Sequence, residues 1–435
     1  MKKILFFIAS VLLIVSCGMV DDIYYAPETG DMEVPEVPEV PIEEPDYPER
    51  SYWYNAADSI SRRFINSFWA SSNRYFRFLF TPTSSSLGGN GIPSGGSHSA
   101  ISGTLTGNFQ YWPQAHGMDV VIDAFVRTGG TPENKTTNAY YAYYDSWFAG
   151  VRAGNGNGWN NSYVDDVEWN VLTMLRMYET TGEETYLTTA KSTYDNYIWR
   201  YWTETWPSCG GILWNTNQFS KNACSNGPGG VCAAKLAYYL SLPEDKEKYL
   251  DQAKKIYDWL RAVLIYDYGV ADNISGGGAI TYVVLTYNQG TALGTAHWLY
   301  KLTGDTYYLD EAIKLAEKVT ISGACSTWVD DGWVLRSEGA ANADNGLFKG
   351  IFIRYFVPLI NDPDVPIAKR KQFYNFMVHN ATTLWTKGVH KTGNYHSYAN
   401  ASWWEQVAPS GQVAMQGIVS GATMMEGMYA VEPLE

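Results

Sequence analysis

The chain has 435 residues, 46% of them hydrophobic, enough apolar material for one large domain or two ordinary ones. Its formal charge of −14 is unevenly spread: residues 21–50 hold 11 acidic residues and one basic residue. With Lys2, Lys3 and Arg50 counted out, residues 51–435 carry 34 acidic and 28 basic residues, and no basic run or face, which excludes a nucleic-acid footprint.

Residues 1–16 read as a signal segment, with Lys2 and Lys3 before an apolar core at 4–15 that is too short to span a membrane as a mature helix. It ends in Ile14-Val15-Ser16-Cys17, which resembles a bacterial lipobox and implies lipidation of Cys17. An extracytoplasmic protein held to a membrane by lipid alone is expected, on the outer membrane, the cell surface or the periplasmic face. Residues 17–50 read as an acidic tether with proline at every third position, a pattern that favours extended backbone over packing. The catalytic domain is expected over 51–435.

Helical periodicity begins at Tyr52. Residues 81–110 are rich in glycine and serine and read as a long loop. Further helices are predicted at 112–127, 138–150, 163–180, 184–201, 230–241, 245–265, 280–302, 305–321, 343–358, 366–385 and 412–430. Tyr-Leu-x-x-Ala recurs at Tyr186, Tyr249 and Tyr308, about 60 residues apart, which is the length of a helical hairpin with its connections. About twelve helices at that period predict an all-α (α/α)6 toroid, with an open solenoid as the alternative. Short turns alternate with long loops rich in Gly, Asn, Trp and Tyr, so binding groups are expected at the long-loop end.

Cys209, Cys224, Cys232 and Cys325 could form up to two disulfides, in three possible pairings. The six histidines are scattered without metal-ligand spacing, so neither metal nor cofactor is expected. There is no nucleophile elbow and no P-loop.

Carboxylates remain. Asp165 and Asp166 open the helix YVDDVEWNVLTMLRMY at 163–178. Adjacent helical residues point about 100° apart. Their carboxyl groups could therefore hold the roughly 5–5.5 Å separation of a retaining glycosidase. Like charges that close push the two pKa values apart. Acidic residues also suit any first helical turn, so the dipeptide alone does not assign chemistry. Trp169, one turn on, could wall a sugar site, and Glu168 is a third acid nearby. Trp112, His116 and Asp119 open the helix after the glycine-rich loop. The 15% aromatic content serves mostly as core, but Trp and Tyr faces also stack on sugar rings.

Five motifs in order carry a resemblance: 163–169 (YVDDVEW), 210–215 (GGILWN), 221–226 (KNACSN), 287–291 (YNQGT) and 346–355 (GLFKGIFIRY). Together the run resembles glycoside hydrolase family 76, the α-1,6-mannanases. The resemblance implies an (α/α)6 barrel and retaining, endo-acting hydrolysis of α-1,6-mannosidic bonds. It makes Asp165 the nucleophile and Asp166 the acid/base, although the residues alone leave those roles interchangeable. Cys224 stands where the resemblance leads one to expect an aliphatic residue. A monomer acting on α-mannan is expected; a transglycosidase or a non-catalytic mannan-binding lipoprotein are the alternatives. Substrate contacts are expected from Trp112, His116, Asp119, Trp169, Trp214, Asn222, Asn226, Gln289 and Arg354. Asn222 and Asn226 could instead cap a helix, and Arg354 could instead form a structural ion pair.

Overall fold

A computed structural model describes residues 49–83, 95–99, 104–108, 110–409 and 411–432. The expected signal segment, Cys17 and nearly all of the tether lie outside the described residues, as does the middle of the glycine- and serine-rich loop. The described residues fall within one compact unit, Tyr47–Glu435.

Twelve α-helices are found among them: α1 (Arg50–Phe68), α2 (Trp112–Arg127), α3 (Ala142–Gly154), α4 (Val164–Thr181), α5 (Glu184–Tyr197), α6 (Ala223–Tyr239), α7 (Pro243–Val263), α8 (Thr286–Thr303), α9 (Thr306–Thr320), α10 (Asn345–Asn361), α11 (Ile367–Thr383) and α12 (Met415–Ala430). The even-numbered helices pack each on the next, and α12 packs back on α2, so the ring closes and the fold is the (α/α)6 toroid. Among the outer helices, α1 lies on α12, α5 on α4, α7 on α6 and α9 on α8. Sequence chemistry matches these positions. α8 buries every residue from Thr286 to His297, as an inner helix must. α7 buries one stripe, including Tyr249, Ala253, Ile256, Tyr257 and Leu260.

The connections divide the ring into two ends. Gly182 and Gly304, both at φ 70°, close α4 and α8 in the left-handed conformation that glycine adopts without strain. Each leads within two residues into an outer helix. The five small sheets among the described residues all lie in the longer connections that precede inner helices. One of them pairs Lys221–Asn222 with Asn273–Ile274, which in turn pairs with Ile280–Thr281. The N-termini of the inner helices therefore gather under the long loops.

The Tyr-Leu repeat has a packing cause. Each repeated tyrosine meets an aromatic residue of the preceding outer helix: Tyr186 meets Phe148, Tyr249 meets Tyr194 and Tyr308 meets Tyr257, with centroids 5.3–5.7 Å apart. Two of the hydroxyls also donate back across the joint, Tyr186 to Asp145 at 2.6 Å and Tyr249 to Asp195 at 2.8 Å.

Near their N-termini the inner helices come very close. A Cβ on Gly290 of α8 would stand 2.7 Å from the Cα of Phe352 in α10, and one on Gly350 of α10 would stand 2.9 Å from the Cα of Ser420 in α12. Towards the C-termini the ring opens into a cavity of about 630 Å³ lined by all six inner helices. Five of these helices present a basic residue to it from their C-terminal halves: Arg127, Arg176, Lys235, Lys301 and Arg354. Cations there offset the partial negative charge of converging helix ends.

Cys224, Cys232 and Cys325 are buried free thiols, so none of the three possible pairings among the four globular-domain cysteines forms. Each thiol fills buried space, Cys224 beside Asp165, Cys232 on α6 against the Glu168 carbonyl and Cys325 against the Val284 carbonyl. No described helix is long and apolar enough to cross a membrane.

Candidate active site

Asp165 and Asp166 occupy the first turn of α4, at the long-loop end of the ring. Two loops fix that turn. Val164 N–H donates to the carbonyl of Trp214 at 2.9 Å, and Tyr163 bridges to Asn215. Asn161 accepts from the Tyr163 N–H at 3.0 Å and donates through its amide to Asp166 at 2.8 Å. The helix start and the orientation of one carboxyl thus share a single side chain.

Burial drives the electrostatics. The Asp165 carboxyl is pushed up to about 7 by desolvation, opposed by the Cys224 thiol and the Trp214 indole. Asp166 is raised well above the ordinary carboxylate range by burial, then by the charge of Asp165, then by that of Asp344, with Asn161 opposing. At this separation the first carboxyl to ionise holds the proton on the other. Glu168 is fully buried and raised by burial and by Asp165; neither of its oxygens has a hydrogen-bond partner among the described residues. A neutral carboxylic acid is the form that suits such a place.

Trp112, His116 and Trp169 pack together about one turn below the pair, roughly 6 Å down α4. Their centroids lie 5.0–6.3 Å apart. Trp169 is only 3% exposed, so it forms a floor rather than the expected wall. Burial lowers the His116 imidazole to about 3, which leaves it neutral. The Trp112 indole donates to Asp344 at 3.2 Å. This layer separates the pair from the cavity at the other end, which His116 and Trp169 also line.

Four expected substrate contacts take other places. Asn226 has its whole amide engaged with backbone: it accepts from Ile212 N–H at 2.8 Å and donates to the carbonyls of Ile212 and Asn222. Gln289 likewise accepts from Val270 N–H at 2.8 Å and donates to the carbonyls of Val270 and Leu285. Both brace loops against inner helices, because buried loop backbone needs partners that the sheets do not supply. Asp119 and Arg354 belong to the ion network of the far cavity. Asp119 pairs with Arg176 at 2.8 Å and with Arg354 at 3.3 Å. Burial pushes its carboxyl up, and those two cations more than reverse the effect. The structural alternative for Arg354 therefore fits its position.

Trp214 packs on Tyr163 at 5.0 Å beside Asp165, and Asn222 directly precedes α6, its amide oxygen accepting from the Ser220 hydroxyl at 2.6 Å. Sequence reasoning missed Asp344, which lies immediately before α10, and Asp272, which holds the amides of Asn273 and Asn288 at 2.8 and 3.1 Å. It also missed Tyr287, stacked on Phe348 at 3.8 Å and in electrostatic contact with Asp165. The available signal was positional: a polar residue at the start of each inner helix faces the same end of the ring. Among the described residues no cluster suits a metal ion. Two adjacent half-buried carboxyls, one ionised and one protonated, can transfer one proton and supply one nucleophilic oxygen, which is the requirement of glycosyl transfer to water.

Known proteins resemble this chain over most of its length. Residues 91–432 match the family described as Glycosyl hydrolase family 76. The α-1,6-mannanase of Salegentibacter sp. HEL1_6 is 33% identical with a TM-score of 0.73, covering 87% of this chain and 100% of that one. An inactive variant of that enzyme, with two consecutive aspartates replaced by asparagine, was solved with α-1,6-mannotriose and has a TM-score of 0.72. Mannan endo-1,6-alpha-mannosidase DCW1 of Saccharomyces cerevisiae is 28% identical over 165 residues, or 34% of either chain. The match thus spans about a third of that relative's length.

Proposed function

The chain belongs to glycoside hydrolase family 76, and from that premise we propose that it is a retaining, endo-acting α-1,6-mannanase, with residues 51–435 as its catalytic domain. The observation that carries the reading is the consecutive pair Asp165–Asp166, half-buried side by side at the start of α4 with both carboxyls raised by desolvation. It matches the chemistry of the consecutive aspartates whose replacement leaves the Salegentibacter enzyme inactive.

The Asp165 carboxylate attacks the anomeric carbon as Asp166 gives its proton to the leaving glycosidic oxygen. The glycosyl ester formed on Asp165 carries no charge. The repulsion that held the proton on Asp166 is then gone, and its pKa falls. Asp166, now a carboxylate, takes a proton from water as the water oxygen attacks the same carbon. Asp165 is released as a carboxylate and the sugar keeps its configuration. Asn161 holds Asp166 in place through both steps. Exclusion of bulk water by the Trp112–His116–Trp169 floor keeps these charge effects strong.

The substrate is an α-1,6-linked mannan backbone, and the enzyme acts as a monomer without a cofactor. The lipobox-like sequence at Cys17 supports display outside the cytoplasm through a lipid anchor.

The test is incubation with linear α-1,6-mannan, with chromatography of the products. A ladder of oligosaccharides of retained configuration is expected. Asp165→Asn is expected to abolish release while mannan still binds, and azide is expected to restore turnover with inverted product. Near-wild-type release by Asp165→Asn would overturn the assignment of the nucleophile.

A further inference from the structure

Two large aromatic side chains on the long-loop end stand in water without an apparent reason: Trp206 is 66% exposed and Phe219 is 65% exposed. Both lie against one tight glycine turn at 275–279. The Trp206 indole donates to the carbonyl of Gly276 at 2.8 Å. A Cβ at Gly278 (φ +85°) would stand 2.8 Å from the Trp206 ring, and one at Gly276 would stand 3.4 Å from the Cβ of Phe219. The turn is itself closed by Gly278 N–H donating to Ser275 and Ser275 N–H donating to Ala279, each at 2.8 Å.

The loop carrying Trp206 is fixed from the inside. The buried Lys221 ammonium donates to the carbonyls of Thr203 and Thr205 at 3.0 Å, of Ser208 at 2.6 Å, and also of Gly210. Burial lowers this lysine to about 8. Lys221 sits in the strand next to Asn222, which pairs with Asn273. A continuous strip therefore runs from Asp165 past Trp214 and Asn222 to Asn273 and out to the turn. Three extended residues carry it roughly 10 Å beyond Asn273.

The surroundings select the ligand. Residues 205–220 and 273–284 contain no charged side chain. The exposed groups there include the amides of Asn217 and Gln218 and the hydroxyl of Thr281. Aromatic faces bordered by amides and hydroxyls suit a neutral carbohydrate, and offer nothing to an anionic membrane or a nucleic acid.

We propose that Trp206 and Phe219 form an outlying platform on which mannosyl residues of a long α-1,6-linked chain stack, remote from the bond being cleaved. The proposal rests on the activity stated above. The Trp206 ring is already held in place by its indole hydrogen bond, so little of its side-chain entropy is lost when the sugar docks. Short oligosaccharides that fill only the positions next to Asp165 and Asp166 do not reach the platform.

The experiment uses the full chain carrying Trp206→Ala, Phe219→Ala, both together, and Trp206→Phe. Kinetics are measured on linear α-1,6-mannan and on the shortest oligosaccharide cleaved, and retention is measured in mannan-containing gels. KM on the polymer is expected to rise about tenfold per ring removed, with kcat and the shortest substrate unchanged. Trp206→Phe keeps a stacking face and is expected to retain most of the affinity. Unchanged polymer KM and gel retention would overturn the proposal, as would an equal loss on the shortest substrate. A switch in self-association on sedimentation, with no change on mannan, would identify a second copy of the chain as the occupant and also overturn it. Gel retention of Asp165→Asn with and without Trp206 reads the platform even if wild-type hydrolysis fails, so the two readings fail separately.

Discussion

Asp165 and Asp166 differ by one chain position, yet their surroundings divide them. Asp165 faces Cys224 and Trp214, whereas Asp166 faces Asn161 and the charge of Asp344. That division predicts a bell-shaped pH profile for kcat/KM. Activity rises through about pH 7 as Asp165 ionises and falls at higher pH as Asp166 loses its proton. Removing the charge of Asp344 should ease ionisation of Asp166, so Asp344→Asn is expected to move the alkaline limb down by about one pH unit. An unmoved limb in that variant would break the link. The same burial costs stability. A carboxyl whose native pKa is raised contributes stability below its ordinary value of 3.8 and loses it as pH climbs through about 7. Asp165→Asn is therefore expected to match wild type near pH 4 and to be more stable by ~2–4 kcal/mol above neutrality. Thermal melting across that range checks it.

At the scale of the helices, the division of labour along each inner helix is the main finding. N-terminal turns carry polar groups at the long-loop end, and C-terminal turns carry the ions that neutralise converging helix ends. Asp119 joins α2 to Arg176 of α4 and Arg354 of α10. Asp119→Asn leaves the half-buried Arg176 and Arg354 with Asp123 as their remaining carboxylate and is expected to cost about 1.5–3 kcal/mol, without changing the pH optimum of the folded fraction. Denaturant melts and the pH profile together test this. Sequence periodicity located all twelve helices, because apolar spacing survives wherever a helix has one buried face. It failed at the start of α6, predicted near 230 and found at Ala223. The run Ser225-Asn226-Gly227-Pro228-Gly229-Gly230 looks like a loop. It is helical because neighbours demand small residues: a Cβ on Gly227 would meet Thr291 at 2.3 Å, and one on Gly229 would meet Glu168 at 2.9 Å. Tertiary crowding overrode local propensity there. The roles expected for Asn226 and Gln289 failed for a related reason. An amide that serves a sugar and one that serves a loop carbonyl have the same sequence signature.

Across the whole molecule, the repeat read from the chain is the joint between outer helices, and ring closure follows from α12 returning to α2. What the sequence did not reveal is that the ring is stopped part-way: the Trp112–His116–Trp169 layer lies between the aspartate pair and a cavity lined by all six inner helices. The toroid is thus a corked ring and not a pipe. A polysaccharide cannot be threaded through it from a terminus; it can only be draped across the stopper. Cutting is then indifferent to chain ends, and mannan with chemically blocked termini is expected to lose viscosity as fast as unblocked mannan, with rotational viscometry as the check.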